Sequence, residues 1–145
     1  MFPHIIYCCT VWGGCTASQK HRIQKAINFA ARVVTGLARR EHVTPALQAL
    51  GWTRFEGMLE RRDVALVNRL IAPDAPPALS HIVQRRAEIT QRRTRGSCEG
   101  LLEVPSIRTE RARRSFPFRS VTTWNRSMAT TVPSADSEAA AASLP

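Results

Sequence analysis

The chain has 145 residues, of which 43% are hydrophobic and 22% charged, a composition that fits one globular domain and excludes collagen-like and fibrous proteins. Lys and Arg number 21 and Asp and Glu 11, so the formal net charge is +10 at pH 7. This charge favours polyanionic partners. The longest apolar stretch, around residues 5–12, is far shorter than the ~20 residues that a membrane-spanning helix requires, so no membrane partner is expected.

The four cysteines are Cys8, Cys9, Cys15 and Cys98. The first seven residues lack the basic start and long apolar run of a secretory leader. We therefore expect free thiols in a reducing intracellular compartment, nuclear or cytoplasmic. Cys8, Cys9 and Cys15 could be grouped with His21 as zinc ligands, but the paired C-x-x-C spacing of strong zinc sites is missing. We expect no metal and no cofactor.

The first predicted element is the apolar segment 5–12, which ends at Gly13-Gly14 and fits either a strand or the last turn of a buried helix. The next is the clearest helix, because its apolar residues recur at steps of three and four. Ser18 is its expected N-cap and Gly36 its expected C-terminal residue. The apolar stripe consists of Ile23, Ile27, Ala30, Ala31 and Val34, and the cations off the stripe are Lys20, Arg22, Lys25 and Arg32.

Two further helices are predicted before residue 73. Thr44-Pro45 starts a short one, since proline is preorganised for the first helical position, and Gly51 ends it. Thr53 and Glu56 have the spacing of a capping box, which predicts the start of a third helix that ends before Pro73. Its apolar positions are Phe55, Leu59, Leu66 and Leu70. Pro76-Pro77, followed by Leu79, Ile82 and Val83, predicts another short helix.

Residues 85–114 contain nine arginines and four glutamates and show no sustained helical period. Guanidinium groups pair bidentately with phosphate oxygens, and several together release condensed counterions on binding. A solvated basic loop without a partner is the alternative. The arginines expected to contact phosphates are Arg85, Arg86, Arg92, Arg93, Arg95, Arg113 and Arg114.

The segments 101–104 and 115–118 are predicted to be extended, and a short helix is predicted through Val121 and Trp124. The expected fold is mainly α: a small helical domain with short extended segments and an irregular, basic carboxyl-terminal half. Its expected organisation is a helical region at 1–83, an arginine-rich region at 84–132 and a loose tail at 133–145.

Carboxylates are too sparse for two-metal chemistry. Polymerases and nucleases need two or three carboxylates that converge on ions ~3.5 to 4 Å apart. Asp63, Asp74 and Asp136 are isolated in the sequence, and we expect them to be solvated helix and loop residues. Phosphate-binding glycine loops and the Gly-x-Ser-x-Gly elbow are also missing. No catalytic residue is therefore expected, and the chain on its own is not expected to be an enzyme.

A series of short motifs runs through residues 7–132. It contains Tyr7-x-x-x-x-Trp12-Gly, the segment RIQKAINFAARVVTG at 22–36, Thr44-Pro45, Leu50-Gly51-Trp52, Leu79, Pro105, Arg108-Thr109, Arg114-Ser115-Phe116 and Trp124-Asn125. In this order the motifs resemble the region downstream of the polymerase palm in reverse transcriptases of non-LTR (LINE-type) retrotransposons. The resemblance lies in the ordered set, since each motif is short.

The resemblance implies a helical, thumb-like start at 1–83 and a region that helps to grip template RNA and nascent DNA. Its implied partners are RNA or an RNA/DNA duplex, contacted through phosphates, and the polymerase palm of the parent element, with self-association through uncovered faces. Two features depart from the family pattern: Pro117 interrupts the stretch between Ser-Phe and Trp-Asn, and Arg126-Ser127 replaces the usual Leu-Pro. We interpret the chain as a non-catalytic carboxyl-terminal fragment from a truncated transposable element.

A second interpretation arises from the amino-terminal charges. The first acidic residue is Glu41, and six Lys and Arg residues precede it. An acid-free, basic, amphipathic start is typical of mitochondrial import sequences. The alternative function is therefore that of a small basic protein imported into mitochondria.

Overall fold

A computed structural model describes residues 5–89 and 100–131. Over these residues the chain is mainly helical and contains no strand, which confirms the mainly α fold class. The elements are α1 Cys9–Trp12, α2 Ala17–Thr35, α3 Thr44–Ala49, α4 Phe55–Leu70, a 3₁₀ helix Pro77–Ile82, α5 Arg86–Ile89, α6 Glu110–Arg113 and α7 Phe116–Thr131. The predicted tail at 133–145 lies outside the described residues.

The N-cap of helix α2 is Thr16, two residues before the predicted cap Ser18. Thr16 and Gln19 form a capping box, in which the Thr16 amide donates to Gln19 Oε1 at 2.9 Å. The helix ends at Gly36 as predicted, with φ +67°, a conformation that only glycine adopts without a steric penalty. Ile27 is buried, but Val34, in the last turn, is 61% exposed. The predicted stripe therefore packs over its middle and not at its end.

Helix α4 is present where predicted, but the predicted capping box of Thr53 and Glu56 is wrong. The Thr53 hydroxyl instead accepts a hydrogen bond from Arg61 at 2.9 Å. The Phe55 amide, at the start of α4, donates to Gln24 Oε1 of α2 at 2.8 Å. Because the two residues are 31 positions apart, local spacing could not reveal this cap.

Two hydrophobic clusters lie along α4. The first combines α1, α2, α3 and the first half of α4 and consists of Cys9, Ile27, Ala31, Ala46, Leu47, Phe55 and Leu59. The second combines the rest of α4 with the segment around residue 102 and α7, and consists of Val67, Leu70, Val83, Leu102, Val121 and Trp124. Burying one such apolar side chain contributes about 1.5–3 kcal/mol. Because α4 contributes residues to both clusters, it joins the two halves of the fold. The contacts of the second cluster cross from 1–83 into 84–132.

The segment 115–118 is not extended as predicted, because α7 begins at Phe116. Pro117 lies in the first turn of α7, where backbone N–H groups have no intrahelical acceptor and a proline is tolerated. The helix predicted through this region was too short, since α7 has 16 residues. Residues 101–104 form no helix, and Leu102 makes an isolated antiparallel bridge with Arg85, in agreement with an extended segment.

A buried ion pair joins α4 to α7. Asp63 is 0% exposed, and Arg119 donates to its two carboxylate oxygens from Nε at 2.6 Å and from a terminal nitrogen at 3.2 Å. The terminal nitrogens also donate to the carbonyls of Thr10 at 2.8 Å and Arg114 at 3.0 Å. The expectation of a solvated Asp63 is therefore wrong, because its partner lies 56 residues away. A bidentate, hydrogen-bonded geometry is what a buried pair needs to offset desolvation.

Replacing Asp63 with Ala leaves the guanidinium of Arg119 without its counter-charge in the interior. We expect the free energy of unfolding to fall by about 3–5 kcal/mol, the usual effect of removing one partner of a buried pair. Urea denaturation followed by circular dichroism measures it.

Glu60→Ala is the matched control, because Glu60 forms an exposed pair with Arg126 at 3.8 Å and its loss should lower stability by less than about 1 kcal/mol. Equal losses of unfolding free energy in Asp63→Ala and Glu60→Ala would contradict the described role of the buried pair.

Candidate nucleic-acid interface

Arg85 and Arg86 lie at the turn that leads into α5. Their backbone pairs with the segment around residue 102: Arg85 bridges Leu102, and the Arg86 amide donates to the Leu101 carbonyl at 3.0 Å. Arg85 is exposed, whereas Arg86 Nε lies 3.4 Å from Glu103 Oε2. Arg85 is therefore open to solvent beside Glu88, whose Oε2 accepts from the Arg85 amide at 3.4 Å, and Glu103 partly neutralises Arg86.

Arg113 and Arg114 lie at the junction of α6 and α7. Arg113 is exposed and Arg114 half-buried. The Arg114 carbonyl accepts from Arg119 and lies so close to Gly14 that a Cβ there would be 2.7 Å from its oxygen. Of these two, Arg113 is the better placed for a ligand, whereas the backbone of Arg114 anchors the junction.

The four described arginines of the predicted set are held at two places in the fold. Asn125 of α7 holds Leu102, and thus Arg85, through two hydrogen bonds of 3.0 Å with the Leu102 backbone. Asn125 lies in the second half of α7 and holds the segment that pairs with Arg85, whereas Arg113 and Arg114 precede the first turn of α7. Arg92, Arg93 and Arg95 lie outside the described residues.

Sequence reasoning missed two cations that share a surface with Arg113. Lys20 of α2 and Arg126 of α7 line the same cavity of about 250 Å³ between α2, α4 and α7. Glu56 and Glu60 of α4 also line it. The cavity thus has mixed charge, and Glu56 and Glu60 reduce the positive charge that Lys20 and Arg126 add beside Arg113.

Helical spacing in the sequence predicts that Lys20 lies on the packed face of α2. It precedes Gln24, Ile27 and Ala31 by four, seven and eleven residues, which places it on the packed face of α2. Lys20 was predicted to lie off the apolar stripe, but it is half-buried. Arg126 lies seven residues after Arg119, two turns along the same face of α7.

The aromatic and amide residues of the motif series form tertiary contacts. Trp124 is 6% exposed and its Nε1 donates to Asn68 Oδ1 at 2.7 Å, while Asn125 holds the Leu102 backbone. The ring of Trp12 stacks on Phe55 with centroids 5.3 Å apart. Trp124 therefore belongs to the core and is not placed to stack on a base.

The cysteines of the amino-terminal region have different surroundings. Cys8 is exposed, Cys15 is half-buried and Cys9 is buried; burial raises the pKa of the Cys9 thiol, although the nearby charge of Arg62 lowers it. Within residues 5–89 and 100–131, no group of three or more His, Cys, Asp or Glu residues could hold a metal ion. No helix in this part of the chain has the length and hydropathy to cross a membrane.

Comparison with family models, with curated proteins and with solved structures gave no significant match to the chain.

Asn125→Asp removes the side-chain donor that the buried Leu102 carbonyl needs, and places a carboxylate against that carbonyl. We expect a loss of about 1–3 kcal/mol in the free energy of unfolding, the usual effect of leaving a buried polar group unsatisfied. Asn68→Asp is the matched control, since Asn68 only accepts from Trp124 and an aspartate can still accept. Thermal or urea unfolding measures the stability of both variants. A larger loss of stability in Asn68→Asp than in Asn125→Asp would contradict the role assigned to Asn125.

Proposed function

We propose that this chain is a non-catalytic region of a non-LTR retrotransposon reverse transcriptase that contacts the phosphate backbone of RNA or of an RNA/DNA duplex. The observation that carries the proposal is the pair of exposed arginines, Arg85 and Arg113, held near the two ends of the Arg114 to Asn125 segment.

The fixed backbone around each arginine supports this role. Arg85 is bridged to Leu102, and Arg113 immediately precedes a residue whose carbonyl is bound by Arg119. A guanidinium on a fixed backbone loses less freedom when it binds a phosphate than one on a loose loop. Both positions therefore favour a binding surface over a solvated basic loop.

The motif series supports the family assignment. Four residues of the series form a tertiary contact or end a helix: Trp12, Gly36, Trp124 and Asn125. The series that resembles retrotransposon reverse transcriptases thus coincides with residues on which the fold depends. We further propose that the chain alone lacks polymerase activity, so primer extension with the purified protein is expected to yield no cDNA.

The burial of two apolar residues of α2 is relevant to the mitochondrial alternative. These residues, Ile27 and Ala31, are 1% and 0% exposed and belong to the first hydrophobic cluster. Removing this segment after import would take both residues out of the core. Their burial therefore supports the nucleic-acid proposal over the import proposal.

The double variant Arg85→Gln/Arg113→Gln tests the proposed contacts. Affinity for a generic RNA/DNA duplex, measured by fluorescence anisotropy, should fall with salt, and the slope of log affinity against log salt should become shallower by roughly two when two phosphate contacts are lost.

Arg61→Gln/Arg69→Gln is the control, because it removes two exposed cations of α4 and should change the slope much less. Equal effects of both double variants, or an affinity that does not change between about 50 and 200 mM salt, would refute the proposed contacts.

A further inference from the structure

Helix α2 has a second apolar feature, on the side opposite to its packed face. Phe29 and Val33 are 66% and 65% exposed, whereas Ile27 and Ala31 of the same helix are buried. Phe29 and Val33 are four residues apart and therefore neighbours on one face. An aromatic ring exposed to this extent in the middle of a packed helix contributes little to the core, so it is available to a partner.

Cations surround this ring. Lys25 precedes Phe29 by one turn and Arg22 precedes it by two, so both share its face, and both are exposed. Arg32 and Arg39 line a shallow groove together with Phe29. We refer to Arg22, Lys25, Phe29, Arg32, Val33 and Arg39 as the outer face of α2.

Helix α2 contains neither Asp nor Glu, so no acidic residue of the helix itself offsets these charges. Glu41 is the first acid after the helix, and its carboxylate accepts from the Ala38 amide at 3.1 Å. Arg32 donates to the Glu41 carbonyl at 3.1 Å, a contact that orients the guanidinium without neutralising it. The outer face therefore remains cationic.

The combination of charge and ring selects one class of occupant. A second copy of the chain would bring the same cations against each other, and an apolar protein surface would desolvate them without compensation. A duplex offers phosphates, but its base faces are already stacked. A single strand offers phosphates to the cations and an unpaired base to the ring, as on the surfaces that bind single-stranded nucleic acid.

We propose that the outer face of α2 binds single-stranded nucleic acid, with Phe29 stacking on an unpaired base and Arg22, Lys25 and Arg39 contacting phosphates. This goes beyond the proposed function, because it concerns a different surface and a different form of the strand. The surface shares no residue with the sites at Arg85 and Arg113, so each can be tested without the other.

The experiment uses the full chain and a 12-nucleotide RNA that carries 2-aminopurine, alone or annealed to a complementary DNA strand. Anisotropy gives the affinity, and quenching of 2-aminopurine fluorescence reports stacking. For Phe29→Ala we expect about 5- to 100-fold weaker binding of the single strand, loss of the quenching, and duplex binding within about two-fold of the native chain.

Two controls separate stacking from contact with any apolar side chain. Val33→Ala removes exposed apolar surface from the same face and should leave quenching unchanged. Phe29→Leu keeps apolar volume but removes the π-face, so it should behave like Phe29→Ala. All these positions are exposed on α2, and circular dichroism verifies that each variant is folded.

Single-strand binding that survives Phe29→Ala or Phe29→Leu overturns this inference, while salt-sensitive duplex binding through Arg85 and Arg113 would leave the proposed function intact. A native chain that binds neither probe overturns both. A native dimer in sedimentation that Phe29→Ala dissociates, without any change in single-strand affinity, identifies a second copy as the occupant and also overturns the inference.

Discussion

The guanidinium of Arg119 is the constraint on which the arrangement of this fold depends. It is bound by the Asp63 carboxylate of α4, by the Thr10 carbonyl of α1 and by the Arg114 carbonyl before α7. A buried charge is tolerated only when such partners satisfy it, so the three segments must meet at this point. The register of α7 on α4 is thereby fixed. Because Arg113 precedes α7 and Asn125 lies within it, the same register positions both proposed phosphate contacts.

Charge clustering along a sequence does not by itself produce a charged cluster in space. Arg85 and Arg113 lie within one arginine-rich stretch of the sequence, yet they are fixed by different contacts: Arg85 by Leu102, which Asn125 holds, and Arg113 at the junction before α7. Glu103 reduces the charge offered by Arg86. Among the described arginines of this stretch, Arg86 and Arg114 are therefore less available to a ligand than Arg85 and Arg113.

The features that could be predicted from the sequence are those determined by neighbouring residues. The helical period of α2 and its end at Gly36, and the start of α3 at Thr44-Pro45, depend on residues within about two turns. The cap of α4 by Gln24 and the burial of Asp63 depend on partners in other helices. The start of α7 was missed for a different reason: a proline in the first turn of a helix and a proline in an extended segment have the same local sequence signature.

Helix α2 also explains why one sequence pattern supports two interpretations. An acid-free, cationic, amphipathic segment is expected of an import sequence, but here its apolar stripe is used inside the protein and its cations remain outside. Burial of the stripe accounts for Ile27 and Ala31, and capping of α4 accounts for Gln24. Neither burial of the stripe nor capping of α4 accounts for the exposed ring of Phe29. Since exposing an aromatic ring gives up the stabilisation that its burial would provide, its place among uncompensated cations is best explained by a ligand that needs both.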